Sequence, residues 1–288
     1  EFWLKKSSFD AAKTKKEVIF DLWNNEESSS AGYGRLTIEM SASLSASQSP
    51  FRITYMSGAN GFSDELIGTN LSTSSVADDT WSHYAFTFVS SDTNVVSELY
   101  IDGFLNESRT ISTTAELNEL TGALVANIGA LRTAPSGASE ATLGWGKLAA
   151  SLDEFRFWKK NRSGKEIGTN WFTQVPGGAN SSDSNSYLGV YYKFNEGITT
   201  TASIDSVVLD YSGRISDGDW TGYGANSRNT GSAIVSASAA PSEFADPIIY
   251  LQNPNVQNTL DDLTLSGSVY DANNNTALYN TLPTWIIE

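Results

Sequence analysis

Bond-breaking chemistry needs nucleophiles, acids and bases in matched sets, and this chain offers few. It has a single histidine, His83, and no cysteine, which excludes a cysteine nucleophile and a zinc site built on several histidines. A Ser-His-Asp arrangement would have to use His83, which stands beside Trp81 in an aromatic run that reads as a core strand. Hydrolysis of a glycosidic bond with retention needs two carboxyl groups about 5 to 5.5 Å apart. No E-x-D-x-x-E run occurs, and the nearest pair, Asp153 and Glu154, is consecutive. Alternation along a strand sends such neighbours to opposite faces, so they read as a turn that opens a core strand. Neither the P-loop pattern nor G-x-G-x-x-G is present, and nucleotide chemistry has no support.

Binding chemistry has more candidates. Trp145 in Leu143-Gly-Trp-Gly146, Trp220 in Asp219-Trp-Thr-Gly222, and Tyr223 sit among glycines. There a ring can be presented to stack on a sugar face, with burial in the core as the competing fate. A metal, if one is held, is Ca²⁺, which takes carboxylate and amide oxygens. Asp217 and Asp219 in Asp217-Gly-Asp219 are the metal candidates, with Asp78-Asp79 and Asp64-Glu65 as further acidic pairs that also read as solvated turns. Asp271-x-Asn273-x-Asn275 begins like an EF-hand loop but has Thr276 in place of the turn glycine and Leu282 in place of the bidentate glutamate.

Composition bounds the partners. Lysine and arginine total 18 against 33 acids, a net charge of −15 over 288 residues, which argues against nucleic acid or an anionic membrane as partner. No stretch approaches the roughly 20 apolar residues needed to span a bilayer. The opening Glu1-Phe-Trp-Leu and the closing Trp285-Ile-Ile287 both read as apolar runs already under way, so flanking sequence is expected at both ends. Without disulfides, stability rests on buried apolar surface, for which 13 Phe, 12 Tyr and 8 Trp are available.

The elements that must position these residues are mostly strands. Short aromatic and β-branched runs at 1–5, 17–23, 35–40, 51–56, 82–89, 98–101, 123–130, 152–158 and 188–194 are separated by Ser, Gly, Asn and Asp clusters. Tyr84, Phe86 and Phe88 share one face of their strand, which should enter the core. One short helix is expected at 163–171, with Ser163 as cap and Glu166 three residues later. Residues 176–186 contain no large apolar side chain and read as a linker or long loop. It divides a sandwich at 1–175 from a β-rich segment at 187–288.

Three segments in order, Glu1-Phe-Trp-Leu-Lys5, then Trp81-Ser-His-Tyr-Ala-Phe-Thr-Phe88 with Leu99-Tyr-Ile-Asp-Gly103, then Ser151-Leu-Asp-Glu-Phe-Arg-Phe-Trp158, resemble the laminin-G-like/concanavalin A-like lectin and glucanase superfamily over residues 1–172. The resemblance implies an all-β fold, an antiparallel jelly-roll sandwich, here with a β-rich C-terminal extension. It also implies a non-catalytic recognition or adhesion module. Its partners would be a glycan or cell-surface component and other copies or subunits of a larger assembly. The location implied is extracellular or on a virion surface. A purely architectural role is the alternative, and a glycoside hydrolase has the least support. The segment Leu188-Gly-Val-Tyr-Tyr-Lys-Phe-Asn-Glu-Gly197 with Asp210-Tyr-Ser-Gly213 resembles the strand and turn that usually open such a domain. Its late position allows a second, incomplete sandwich, towards which the 176–186 stretch inclines, or strands completing the first. The tail from Tyr270 to Ile287 is similar to segments of large structural proteins of tailed phages.

Overall fold

Period-two patterning builds most of this molecule. In Trp81-Ser-His-Tyr-Ala-Phe-Thr-Phe88 the rings of Tyr84, Phe86 and Phe88 reach the core, whereas His83, Ala85 and Thr87 lie on the other side of the same strand. The computed structural model describes residues 1–9, 16–41, 48–117, 123–131, 146–175, 182–195, 207–220, 270–271 and 276–277. Trp145 and Tyr223, and the EF-hand-like positions 273, 275 and 282, lie outside the described residues.

In chain order the strands and helices are β1 (Phe2–Lys5), β2 (Glu17–Trp23), β3 (Gly34–Met40), β4 (Phe51–Ser57), β5 (Asn60–Leu66), α1 (Thr73–Val76), β6 (Trp81–Ser91), β7 (Asn94–Ile101) and β8 (Phe104–Ser112). They continue with β9 (Val125–Ile128), β10 (Ser151–Asp153), β11 (Phe155–Trp158), α2 (Gly164–Asn170), α3 (Ser182–Tyr187), β12 (Leu188–Tyr192), β13 (Val207–Val208), β14 (Gly218–Asp219), β15 (Tyr270–Asp271) and β16 (Thr276–Ala277). Two five-stranded antiparallel sheets form, in the orders β10-β1-β6-β7-β8 and β5-β4-β3-β2-β9. The core lies between them. Phe2, Leu4, Tyr84 and Leu99 of the first sheet meet Phe20, Ile38, Met40, Phe51 and Ile53 of the second, with Phe51 centred 4.9 Å from Tyr84 and 5.6 Å from Phe86. This is a β-sandwich.

Side chains close the sandwich at its edges, where unpaired strands would otherwise invite aggregation. At the β8 edge, Gly68 N–H donates to Glu107 Oε2 (2.5 Å), Thr69 N–H to Asn106 Oδ1 (2.9 Å), and Arg109 to Leu66 O (2.5 Å) and Glu65 Oε2 (2.8 Å). Near the β1 and β2 ends, the buried Lys6 ammonium donates to Glu17 at 3.0 and 2.9 Å and to Ala149 O at 2.9 Å. Removing one partner of such a buried pair leaves an uncompensated charge.

Contact-based division gives one compact unit at Glu1–Ser232 and another at Ala233–Glu288. In the first, β12 pairs antiparallel with β11, Phe155 opposite Tyr192 and Phe157 opposite Val190. Tyr192 and Phe194 pack on the main core. Strands β11 and β12 form a two-stranded sheet of their own within this unit, which runs to Ser232. In the second unit, β15 and β16 pair with Tyr270 opposite Ala277.

Helix α2 starts as its residues dictate. Ser163 Oγ accepts from Glu166 N–H (3.3 Å) and the Glu166 carboxylate accepts from Ser163 N–H (2.7 Å), the reciprocal capping expected of that spacing. Ile167 of α2 then packs on Ala85 and Tyr100, so the helix covers the outer side of the first sheet. Helix α3 lies against β12.

Candidate functional site

The outer face of the second sheet is set by alternation in two adjacent strands. In β2 (Glu-Val-Ile-Phe-Asp-Leu-Trp) Phe20 and Leu22 enter the core, which turns Asp21 and Trp23 outward. In β3 Leu36 and Ile38 point in, turning Arg35, Thr37 and Glu39 outward. Register aligns them in rows. Asn127, Asp21, Thr37 and Thr54 lie side by side on four neighbouring strands, and Val125, Trp23, Arg35 and Met56 form the next row.

Charges on this face are matched one to another. Arg35 grips Asp21 with both arms of its guanidinium, Nε to Oδ1 at 2.7 Å and Nη2 to Oδ2 at 3.0 Å, and Thr37 adds a hydroxyl bond to Asp21 Oδ1 at 3.1 Å. Burial opposes the Arg35 charge, but the bonds from Asp21 hold the guanidinium above its ordinary value. Lys16 donates to Glu39 Oε1 at 3.0 Å and also to Asp64, whose other oxygen meets Arg52 Nη1 at 3.0 Å. Burial pushes the Glu39 carboxyl up, against the opposing pull of Lys16. Trp23 is half-buried, its indole N–H fixed to Glu26 O at 2.8 Å, with the Arg35 guanidinium 5.7 Å from its ring centre. Asn127 Nδ2 is buried with no hydrogen-bond partner among the described residues.

This combination suits recognition. An oriented indole offers a flat apolar surface, and carboxylate, guanidinium, hydroxyl and amide groups around it offer donors and acceptors of both kinds. Acid–base cleavage would instead need one carboxyl group held neutral and a second poised opposite it, whereas the three described carboxylates on this face, Asp21, Glu39 and Asp64, are engaged by cations.

The residues singled out from the sequence fall elsewhere. Trp220 is half-buried with its ring 5.9 Å from Phe194. Asp217 Oδ1 accepts from Asp210 N–H (2.8 Å), inside a turn where the Asp210 carboxylate accepts from the backbones of Tyr191, Ser212 and Ser216. Burial raises the Asp210 carboxyl, but these bonds overcome it and hold the group below its ordinary value. Asp219 pairs with Val207 across β13 and β14 and is exposed. Among the described residues, no group of three or more His, Asp or Glu side chains is gathered as a metal site. Gly146, the residue after Trp145, accepts from Val18 N–H at 2.9 Å. Trp23, Arg35 and Asp21 were not among the candidates. Their signal is the alternation Arg35-x-Thr37-x-Glu39 in β3, opposite Asp21 and Trp23 of β2.

The remaining titratable cluster is structural. His83 is buried in contact with Trp3 (5.7 Å) and Trp171 (5.9 Å), and its Nε2 stands 3.9 Å from Glu1 Oε2. Burial above all drives its pKa down to about 3, against the attraction of Glu1 and with the help of Arg156 and Arg162, so at neutral pH this is a neutral ring beside a carboxylate. Glu154 is fully buried between Arg156 Nη2 (3.2 Å), Gln174 Nε2 (3.1 Å) and the hydroxyl of Tyr191. Arg156 also donates to Thr173 O at 2.5 Å. Asp153 and Glu154 are therefore internal fastenings, closed to substrate.

A family model described as the concanavalin A-like lectin/glucanases superfamily matches residues 1–168. A solved structure of a protein from Bacteroides ovatus ATCC 8483, assigned provisionally to carbohydrate binding, aligns at 15% identity with a TM-score of 0.36, covering 75% of this chain and 55% of that one. The present chain thus spans little more than half of that protein. A search of curated proteins finds no match.

Proposed function

The chain belongs to the concanavalin A-like lectin/glucanases superfamily, and from that premise we propose that it is a non-catalytic, extracellular carbohydrate-recognition module. We place its ligand on the outer face of the second sheet. One observation carries this reading: the half-buried Trp23 ring, oriented by its indole N–H, stands next to the Arg35–Asp21–Thr37 hydrogen-bonded set on the outer face of the second sheet. Ligand sites combine a mostly apolar surface with a few fixed polar groups, and this patch has both.

Binding of the purified chain to a broad glycan array tests it. Trp23→Ala is expected to lower affinity for any glycan captured by roughly tenfold or more, the usual scale for losing a buried aromatic anchor, with unchanged far-UV circular dichroism. The residues singled out from the sequence, Trp145, Trp220 and Tyr223 with Asp217 and Asp219, are the competing candidates, with Ca²⁺ as the metal the two acids would hold. Trp220→Ala and addition of a chelator, assayed alongside, separate the face from these candidates. Release of reducing ends from any bound polysaccharide would overturn the non-catalytic assignment, and silence across all glycans would overturn the reading itself.

A further inference from the structure

We infer that the face around Trp23 selects neutral glycans and discriminates against anionic ones carrying sulfate or uronate groups; this rests on the reading of that face as the glycan platform. Anionic sugars are held by cations with unused donors, arginine above all, because its planar fork meets a sulfate or carboxylate with two parallel bonds. On this face the cations are already taken. Arg35 spends Nε and Nη2 on Asp21, Lys16 lies between Glu39 and Asp64, and Arg52 meets Asp64 with Nη1, which also donates to the Asp64 carbonyl at 2.8 Å. Among the described residues of this face three cations stand against three carboxylates, which leaves no charge surplus among them to offer a polyanion.

Displacing one of these carboxylates is costly. The Asp21 side chain is wholly buried, so an anion that captured Arg35 would leave Asp21 as an uncompensated charge beneath it. The whole chain adds to this, since a net charge of −15 repels polyanions at long range. Neutral groups lie on the same face: the half-buried Trp23 ring, the Thr54 hydroxyl in the Asp21 row, which accepts from Asp64 N–H at 3.1 Å and can still donate, and the Asn127 amide. These suit sugar hydroxyls, which both donate and accept.

The test compares the full chain against neutral polysaccharides (a β-glucan, a mannan, a xylan) and anionic ones (heparin, alginate, polygalacturonate), each at 50 mM and 500 mM NaCl. Binding confined to neutral members, changing by less than about twofold between the two salts, supports the inference, because screening acts on charge pairs and counterion release only on polyanions. Asp21→Asn, which frees Arg35 without changing side-chain shape, is expected to gain salt-sensitive binding to an anionic polysaccharide by about tenfold or more. Asp64→Asn, at an exposed position, frees Arg52 and Lys16 and serves if the first variant does not fold. Salt-sensitive capture of anionic polysaccharides by the unaltered chain overturns the inference while leaving glycan recognition standing, and so does failure of both variants to gain anion binding. Absence of binding to every glycan overturns the underlying reading as well.

Discussion

His83 shows what a single residue contributes when its chemistry is used for packing. It is the one histidine of the chain, lies between Trp3 and Trp171, and is held near a pKa of about 3 chiefly by burial, with Glu1 opposing and Arg156 and Arg162 assisting. An unfolded chain takes up a proton at the ordinary histidine value of about 6.5, whereas the folded chain does not until much lower. The unfolded state therefore binds more protons between those limits, and stability, complete above about 6.5, is lost as pH falls towards about 3. His83 should contribute a slope that approaches about 1.4 kcal/mol per pH unit between about pH 6 and 5. Denaturant titrations at pH 7.0, 6.0 and 5.0 measure it; His83→Phe, which keeps the ring and removes the proton, should flatten the profile in that window. An equal slope in both proteins would show that another group is responsible.

At the scale of elements, the hairpin between β7 and β8 and helix α2 depend on one glycine. Asp102 and Gly103 both have positive φ, 48° and 83°, the conformation a two-residue hairpin turn requires. A Cβ on Gly103 would stand 2.4 Å from Trp171 Cδ1 and 2.5 Å from Nε1. The turn thus seats the indole that caps His83. Gly103→Val should cost about 1 to 3 kcal/mol in backbone strain alone, with further loss from moving Trp171. The expected signs are a lower Tm together with a changed near-UV circular dichroism and tryptophan emission, since the ring must leave its site. A Tm shift without a spectroscopic change would separate backbone strain from the Trp171 contact. Both the turn and the α2 capping box were legible in the sequence because each is specified within four residues. The outer face of the second sheet was not, since alternation gives Trp23 and Asp21 a side of their strand but says nothing of how deeply the rest of the fold buries them.

For the whole molecule, the question is where the sandwich ends. Tyr191 donates to the buried Glu154, and Leu188 and Tyr191 are fully buried with Val175 nearby. Removing residues 176–232 would uncover these contacts and leave β11 without its partner. Each large apolar side chain lost from such a site is worth about 1.5 to 3 kcal/mol, and the several removed together should lower the Tm of a 1–175 fragment by on the order of 10 °C relative to 1–232. Thermal unfolding of the two fragments measures it; equal Tm values would make the 188–192 strand dispensable to the sandwich. The sequence by itself determined the all-β class, most strand positions, the inward rings of β6 and the family over its first 168 residues, because alternation and turn chemistry act between near neighbours. The tertiary structure alone decided that Leu188–Tyr192 pairs with Phe155–Trp158, that α2 covers one sheet while Trp23 lies on the outer face of the other, and that Asp21 is matched to Arg35. Those choices follow from burial and charge pairing between groups far apart in the chain, and local sequence does not encode which distant surface a strand or helix will find.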